Sequence, residues 1–538
     1  MQGIPRAAGL RLASGRTDSA APLATDRRYD GGVGKKSRHS ASKAGAAARS
    51  TALGAGPGRE PENELDRALA ELWKSIAAGD VLNAEFQTSA FVTLPELTDG
   101  SPEDMENLAD LLIDAASNYP SADGSGSEAA AFCRLLMSLG SRSVKRAASQ
   151  ALAGFTEDDI YPPGWVTDIG KPTPGRAWRQ YDVFGESEII AVTFSYSGAE
   201  HALIVAIDLA ELPTVSMIAM GEDADGMLDT VRSEAEPYQR FAEITLAEAR
   251  QRIQGPLARA GDDPDFDLGD SSIMFAPLAR SRVRRLPAGD PGQAVGYTAA
   301  DRAAAVEEFL GSPEAGQAGD PEVARFWATV LTGYSSRVPD EPPAQVGPHK
   351  LAALLLVHVA STFTLTDTQR DGMEQAVIPW TRWAAGRQGL DGPATARVLT
   401  SLPDALDAFP DEYDHPYATV SRSYLLDVVT PDVDLAWLAD QRARREFAAP
   451  LPGEREPGPD GIDTDGIDAT DSHGRAEIAV AEFAECGGGG AATIKLLTAV
   501  PRIVEEIWHD EPTATWEKAK KLLADGHSRH EVLHRLAG

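Results

Sequence analysis

The hydrophobic positions that follow residue 60 have a helical period. Apolar side chains recur every three or four residues in three stretches, Leu65–Ile76, Leu108–Ala115 and Phe132–Leu139. The first stretch ends before Gly79, a residue type that commonly terminates helices. The second follows Ser101-Pro102, a pair that fits an N-cap and a first helical position. The sequence therefore predicts a helical domain over residues 61–160.

The period then changes from 3.6 residues to two. Large apolar side chains alternate with smaller ones over 190–196, continue after a turn over 201–209, and resume over 215–219. Two helical stretches follow, at Gly226–Arg232 and Tyr238–Ile253. We expect an α+β domain over residues 161–290, with an antiparallel sheet and helices on one of its faces.

The rest of the chain is predicted to be helical except for one polar segment. Thr298 and Asp320 fit the N-caps of two helices, and helical spacing extends to about Phe447. This gives a helical domain over 291–448. Residues 449–475 are rich in Pro, Gly and Asp, which predicts a flexible acidic linker. A small helical module over 476–538 completes an α+β multi-domain fold that is mostly helical, with a central antiparallel sheet.

Residues 1–60 differ from the rest of the chain in composition. Ala, Gly, Ser and Arg dominate, and so few large apolar residues cannot offset the entropy of folding. We predict a disordered basic tail. Its positive charges are concentrated at Lys35, Lys36, Arg38, Lys43 and Arg49. Such a cluster is usually solvated but is able to contact an acidic surface. A translation start at Val33 would shorten the tail and keep this cluster.

The overall charge restricts the partners of the folded body. The 538 residues have a formal net charge of −32, and a negative potential repels the phosphates of nucleic acids. The two cysteines, Cys133 and Cys486, have no paired spacing, which is usual in a reducing compartment. The apolar stretches are too short to span a bilayer. We expect a cytoplasmic protein that binds no membrane and no nucleic acid through its folded body, with its oligomeric state left open.

The C-terminal residues contain a distinctive pattern of aromatic, acidic and histidine positions. Its members are Glu506, Trp508, Asp510-Glu511-Pro512, Trp516, Leu522, Leu523, Gly526 and Arg529–His534. In these positions residues 503–538 resemble the bacterial domain of unknown function DUF1841. The resemblance implies a compact helical module with no established activity. Members of that family also carry histidines in the preceding helix, where this chain has Ile494, Leu497 and Val500.

The string HEVLH at 530–534 has the HExxH form of zinc metalloproteases. In such a motif two histidines one helical turn apart bind the metal, and the glutamate acts as base on a bound water. The residues concerned would be Glu531 as base and His530, His534 and His509 as metal ligands. Zincins take a further ligand from beyond the second histidine, whereas only four residues follow it here. We therefore predict no catalytic residue, metal ligand or cofactor, and keep a zinc site as the alternative. In the preferred interpretation these histidines cap and pack a terminal helix.

Two other histidines and one basic run have structural interpretations. His201 lies on the apolar face of a predicted strand and His358 on an apolar helix, and neither has an evident partner in the sequence. Four arginines between positions 280 and 285 follow the acidic stretch 261–270, and we expect these opposite charges to pair locally.

The preferred interpretation of the whole chain is a non-enzymatic protein that binds an unknown protein partner, with its C-terminal module on a flexible tether. A metal-dependent hydrolase that uses the HExxH string is one alternative. A small-ligand sensor is another, because helices covering an antiparallel sheet can leave a pocket.

Overall fold

The computed structural model describes most of the chain beyond residue 63. The described residues are 64–93, 113, 127–154, 164–196, 199–210, 213–233, 237–259, 269–288, 297–334, 341–455, 464–483, 491–524 and 527–538. The predicted basic tail, most of the predicted helix after Ser101, and the acidic stretch before position 269 lie outside this set.

The chain divides into two compact units. The first is Met1–Asp182, Ser187–Asp208 and Pro213–Pro291, and the second is Val183–Glu186, Leu209–Leu212 and Gly292–Gly538. The described α-helices and strands of the first unit are α1 Glu64–Ala78, α2 Val81–Val92, α3 Ser127–Leu139, α4 Arg142–Ala153, β1 Thr173–Asp182, β2 Ser187–Tyr196, β3 Ala199–Asp208, β4 Thr214–Gly221, α5 Ala224–Ser233, β5 Gln239–Ile244, α6 Leu246–Arg259 and α7 Gly269–Val283.

The described α- and π-helices of the second unit follow in sequence. They are α8 Ala299–Leu310, α9 Pro321–Gly333, α10 Pro348–Ala352, a π-helix Ala353–Val359, α11 Ala360–Thr362, α12 Asp367–Asp371, α13 Met373–Gln388, α14 Gly392–Asp414, α15 Pro416–Leu425, α16 Leu435–Ala448, α17 Ser472–Phe483, α18 Ala491–His509, α19 Thr513–Ala524 and α20 Arg529–Ala537.

The helices α1 and α3 pack against each other through the apolar residues from which the sequence predicts them. Leu72, Trp73 and Ile76 of α1 lie in one buried cluster with Phe132 of α3, and the rings of Trp73 and Phe132 are 5.2 Å apart. Gly79 has a φ of +72°, a conformation that favours glycine, and it ends α1. The predicted helices at 65–76 and 132–139 are confirmed.

Among the described residues, five antiparallel strands form one sheet in the order β4-β3-β2-β1-β5. Its register pairs Phe194 with His201 and Ala191 with Ile204 across β2 and β3. The two-residue period over 190–219 therefore predicts three of the five strands, and the predicted antiparallel sheet is confirmed.

The prediction of a helix over Tyr238–Ile253 is wrong in its first part. Residues 239–244 form β5, which pairs with β1, and Phe241 packs against the cluster that contains Trp178. The helix α6 begins only at Leu246, because the side chain of Thr245 accepts the backbone N–H of Glu248.

Helices cover both faces of the sheet, so the expectation of one covered face is also wrong. Leu228 of α5 packs on the face that carries Ile204. On the opposite face Arg252 of α6 binds Glu188, and Arg282 of α7 binds His201. The faces alternate along each strand, and both faces are apolar because both are buried.

In the second unit the N-caps are those that the sequence predicts. Thr298 and Asp301 form a reciprocal capping box at α8, and Asp320 accepts two backbone N–H groups at the start of α9. These caps confirm the predicted starts of both helices.

The helix predicted over 350–363 contains a π-helix in its centre. Beyond the π-helix, Arg422 donates to the carbonyl oxygen of Ala360, and Arg442 donates to the carbonyl of Ser361 at 3.2 Å and to Thr362 Oγ1. Carbonyl groups at a helix end lack partners within the helix, and these two guanidinium groups supply them.

The C-terminal helices share a hydrophobic core with the end of the preceding helical region. Tyr424 and Phe447 lie in one buried cluster with Trp508 and Trp516. Arg455, inside the predicted linker, is buried and donates to the carbonyl of Thr464 at 2.6 Å. The C-terminal module is therefore packed against the preceding helices in this structure and is not attached by a free linker. The predicted domain limits stay predictions. None of the described helices is long and apolar enough to cross a membrane.

Candidate functional site

The second unit exposes two large apolar side chains, each next in sequence to a member of one small buried cluster. The solvent-exposed fraction of Leu426 is 62% and that of Trp437 is 46%. Their chain neighbours, Leu425 and Leu438, are both buried and pack in one small cluster. The two exposed side chains therefore flank the same cluster. We call Leu426, Val428, Val429, Val433 and Trp437 the 426–437 surface.

The local sequence explains why these side chains face outward. α15 ends at the buried Leu425. Leu426 follows as the first residue beyond the helix, and its side chain is exposed. Asp434 starts α16 by accepting the backbone N–H of Trp437 at 2.9 Å. The helical turn then directs Leu438 inward and leaves the adjacent Trp437 on the outer side. Val428, Val429 and Val433 are partly buried and pack against the cluster of Leu425 and Leu438.

The 426–437 surface has an acidic border. Between positions 426 and 440 the chain has four aspartates and no lysine or arginine, and these are Asp427, Asp432, Asp434 and Asp440. Asp427 binds both Nη atoms of Arg445, at 2.5 and 2.9 Å, and this contact lowers the pKa of its carboxyl. The carboxylate is therefore ionised at neutral pH, and an anion of this kind attracts cationic groups.

The HExxH string lies in α20, and its glutamate has a capping contact. The backbone N–H of Ser528 donates to Glu531 Oε2 at 2.9 Å, and Ser528 Oγ accepts the N–H of Glu531 at 3.3 Å. The first of these bonds lowers the pKa of Glu531. Ser528 and Glu531 thus cap this helix, whereas the sequence interpretation gave the capping role to the histidines.

The three histidines proposed as metal ligands have separate surroundings. The ring of His530 stacks on that of Phe483 at 4.2 Å and 8°, with its Nδ1 3.7 Å from Glu482. His534 is exposed, and His509 Nε2 is 3.5 Å from Glu505. Glu505 in turn accepts two hydrogen bonds from Arg475.

The donor set does not match a zinc site in the described part of the chain. Zinc takes three or four nitrogen, sulfur or oxygen ligands around one point. No group of three or more His, Cys, Asp or Glu side chains among the described residues is placed to hold a metal ion.

A second concentration of polar groups lies inside the first unit. Arg282 of α7 donates through Nη2 to Glu85 Oε2 at 2.5 Å and through Nε to His201 Nε2 at 2.9 Å. Tyr196 donates its hydroxyl to Glu85 Oε1 at 2.8 Å, and the N–H of Gly170 donates to the same oxygen at 2.9 Å. We call Glu85, Tyr196, His201 and Arg282 the buried polar cluster.

This buried polar cluster is closed to solvent. The side chains of Glu85 and Arg282 are both 0% exposed. Burial, together with the adjacent Arg282, lowers the pKa of His201 to about 3. Burial also raises the pKa of Tyr196. His201 is therefore neutral and accepts from the arginine, and the cluster links α2, β2, β3 and α7 rather than facing a substrate.

The sequence interpretation identified only His201 from this cluster and found no partner for it. It expected the arginines at 280–285 to pair with nearby acids, whereas Arg282 pairs with Glu85, almost two hundred positions earlier. One signal was available, because Glu85 is the single charged residue of α2, whose sequence is VLNAEFQTSAFV. A lone charge in such an apolar helix indicates a buried partner.

A depression of about 300 Å³ bears on the ligand-sensing alternative. It is lined by Ala318, Asp320, Val323, Thr368, Asp371, Gly372 and Gln375. These residues belong to α9, α12, α13 and the segments beside them in the second unit, whereas the central sheet, where the sequence suggested a pocket, belongs to the first unit. Asp320 is already engaged as the N-cap of α9.

Comparisons with known proteins add no assignment. No family model, no curated protein and no solved structure matches this chain.

Proposed function

We propose that this protein acts by binding another protein, without catalysis, and that the 426–437 surface is the contact site. The observation that carries the proposal is the exposure of Leu426 and Trp437, whose chain neighbours Leu425 and Leu438 pack in one buried cluster. Tryptophan is among the residues that contribute most to binding at protein interfaces. Covering a leucine side chain completely stabilises an assembly by about 1.5–3 kcal/mol.

The positions of the chemically competent residues support a non-catalytic role. Glu531 is engaged in capping α20, and the Glu85–Arg282 pair has no contact with solvent. A catalytic base must reach its substrate within hydrogen-bond distance. We place the binding in the cytoplasm, in line with two cysteines of unpaired spacing, of which Cys133 is buried with its pKa raised to about 11.

We also propose that residues 503–538 are a DUF1841-like module. Support comes from the residues quoted for the resemblance, several of which form the core of α18 to α20, including Trp508, Trp516 and Leu533. The module then contributes packing for the unit and not a separate activity.

Photo-crosslinking from position 437 tests the proposed function. Benzoylphenylalanine is introduced at Trp437 in the full chain, and at Tyr297 as a control, because Tyr297 is a comparably exposed aromatic residue at 38%. We expect a cross-linked protein, identified by mass spectrometry in lysate of the source organism, from position 437 and not from position 297. Equal products from both positions, or none from 437, contradict the proposal.

A further inference from the structure

We propose that the partner presents a basic segment with large apolar side chains, and that this segment occupies the 426–437 surface. The inference rests on the proposed function, because it names the chemistry of the partner at that same site. It follows from the charges around the two exposed apolar residues.

The aspartates at the border of the surface differ in how far they are neutralised. Asp432 and Asp434 are exposed, and neither has an ion pair among the described residues. Asp427 is 69% exposed although it binds Arg445, whose own side chain is only 7% exposed. Asp440 binds Lys520 at 3.1 Å. The side that faces solvent is therefore predominantly negative.

An acidic border selects among apolar partners. A segment with Asp or Glu beside its apolar residues would bring like charges together, which opposes binding. A segment with Lys or Arg in those places gains attraction at the rim while its apolar side chains bury Leu426 and Trp437. Exposed apolar residues and exposed acidic residues thus share one short segment, and protein interfaces usually combine both kinds of contact.

The charge of the rest of the chain acts in the same direction. Residues 61–538 contain 39 Lys and Arg against 78 Asp and Glu. A field of that sign accelerates the approach of a cationic partner and weakens as salt screens it. The chain itself contains one cationic stretch, since residues 31–59 have six Lys and Arg and no Asp or Glu. Residues 31–59 could therefore compete with a partner for the 426–437 surface, and the cross-linking experiment distinguishes the two.

Two matched peptides test the inference on the full-length protein. One is a fluorescein-labelled amphipathic peptide of ~14 residues built from Leu and Lys, and the other has Glu in place of every Lys. We expect fluorescence anisotropy to show binding of the Lys peptide only. Trp437→Ala should weaken that binding by about 10- to 30-fold. Asp432→Asn should weaken it by about two- to fivefold at ~50 mM salt and less at ~300 mM.

Controls separate this surface from general charge attraction. Tyr297→Ala removes an exposed aromatic side chain elsewhere, and Glu374→Gln removes an exposed acid elsewhere. Both should leave peptide affinity within about twofold. Equal binding of the Glu peptide, no binding of either peptide, or equal losses in the control variants would overturn the inference.

The cross-link from position 437 distinguishes this inference from the proposed function. A cross-linked segment of another protein that is rich in Lys and Arg supports both. A neutral or acidic segment overturns the inference and leaves the proposed function standing. A cross-link to residues 31–59 of this chain overturns both, and so does the absence of any product above the Tyr297 control.

Discussion

The ion pair between Glu85 and Arg282 is the most deeply buried charge pair among the described residues, since both side chains are fully inaccessible. Each charge compensates the other; the Glu85 carboxylate also accepts hydrogen bonds from Tyr196 and Gly170, and Arg282 also donates to His201. Removing one member leaves the other charge buried without compensation, which costs far more than the net contribution of the pair.

We predict that Arg282→Met lowers the free energy of unfolding by about 3–5 kcal/mol, because it leaves the Glu85 carboxylate buried and unpaired. The double variant Glu85→Leu with Arg282→Met should lose less than the sum of the two single variants. Urea unfolding of the full chain measures all three. The exposed pair Arg176–Glu243 is the control, and Arg176→Met should have a much smaller effect because solvent screens this pair. Equal losses from both arginine substitutions would show that burial of the pair has no special effect.

His201 makes stability depend on pH in a defined direction. Its pKa is about 3 in the folded protein and about 6.5 in an unfolded chain, so the unfolded state binds more protons between these values. The contribution of the neutral histidine is complete above pH of about 6.5 and is lost as the pH falls towards 3, by at most about 1.4 kcal/mol per pH unit. In His201→Gln this part of the slope should disappear, as seen by comparing urea unfolding of both proteins from pH 7.5 to 4.5. Parallel slopes in the two proteins would contradict the assignment.

At this scale the sequence predicts residue environments better than residue partners. The alternation along β3 places His201 on an apolar face, and the structure confirms that it is buried. Its partner Arg282 lies on α7, and a long-range contact of this kind depends on how helices pack on the sheet, which no local pattern contains. The sequence also does not show which of Trp437 and Leu438 is exposed, because both are apolar and only the packing of α16 buries Leu438.

The capping box of α20 gives a prediction at the scale of one helix. Ser528→Ala removes the acceptor for the N–H of Glu531 and should lower the stability of the second unit by about 0.5–2 kcal/mol. Glu531→Gln keeps a side-chain oxygen for the Ser528 N–H and should cost less than Glu531→Ala. Thermal melting measures each variant.

Added zinc separates this role from the metal-site alternative. With capping as the function of Glu531, an equimolar amount of zinc should not change the melting temperature. A rise in the melting temperature that is lost in His530→Ala with His534→Ala would instead establish a metal site in α20.

Helices and strands with a regular spacing of apolar residues are predictable from this sequence. Those whose conformation depends on the elements packed beside them are not. The helix α1 and the strands β2 and β3 follow directly from spacing. The segment QRFAEI falls inside the helix predicted over Tyr238–Ile253, and it forms the strand β5 because the edge of β1 pairs with it. The π-helix is likewise invisible in the apolar sequence ALLLVHV.

The distribution of charge over the whole chain predicts which part of it binds nucleic acid. The body repels phosphate, whereas residues 31–59 carry only positive charge among their ionised groups at neutral pH. We expect weak DNA binding in a gel shift at ~50 mM salt, lost at ~200 mM. The variant with Gln at positions 35, 36, 38 and 43 should not bind under either condition. Binding that persists in this variant would reveal a cationic site on the folded body.

The broad architecture was predictable, but the C-terminal arrangement was not. Composition alone suggests that a Pro-, Gly- and Asp-rich segment is free. In the structure Arg455 of this segment donates to Pro450 and to Thr464, and the core that includes Phe447 and Trp516 continues across it. One buried arginine can hold several loop carbonyls at once, and composition counts give no weight to such a residue.

The π-helix at Ala353–Val359 has a consequence for insertions and deletions. A π turn accommodates one residue more than an α turn, whereas each residue of an α-helix accounts for about 100° of rotation. Deleting one residue within 353–359 would therefore restore α geometry and keep Ser361 and Thr362 directed at Arg442. The same deletion within α13 would turn everything beyond it to a different face. A one-residue gap in an aligned relative, placed inside this helix, would then mark the loss of the π turn and not a loop.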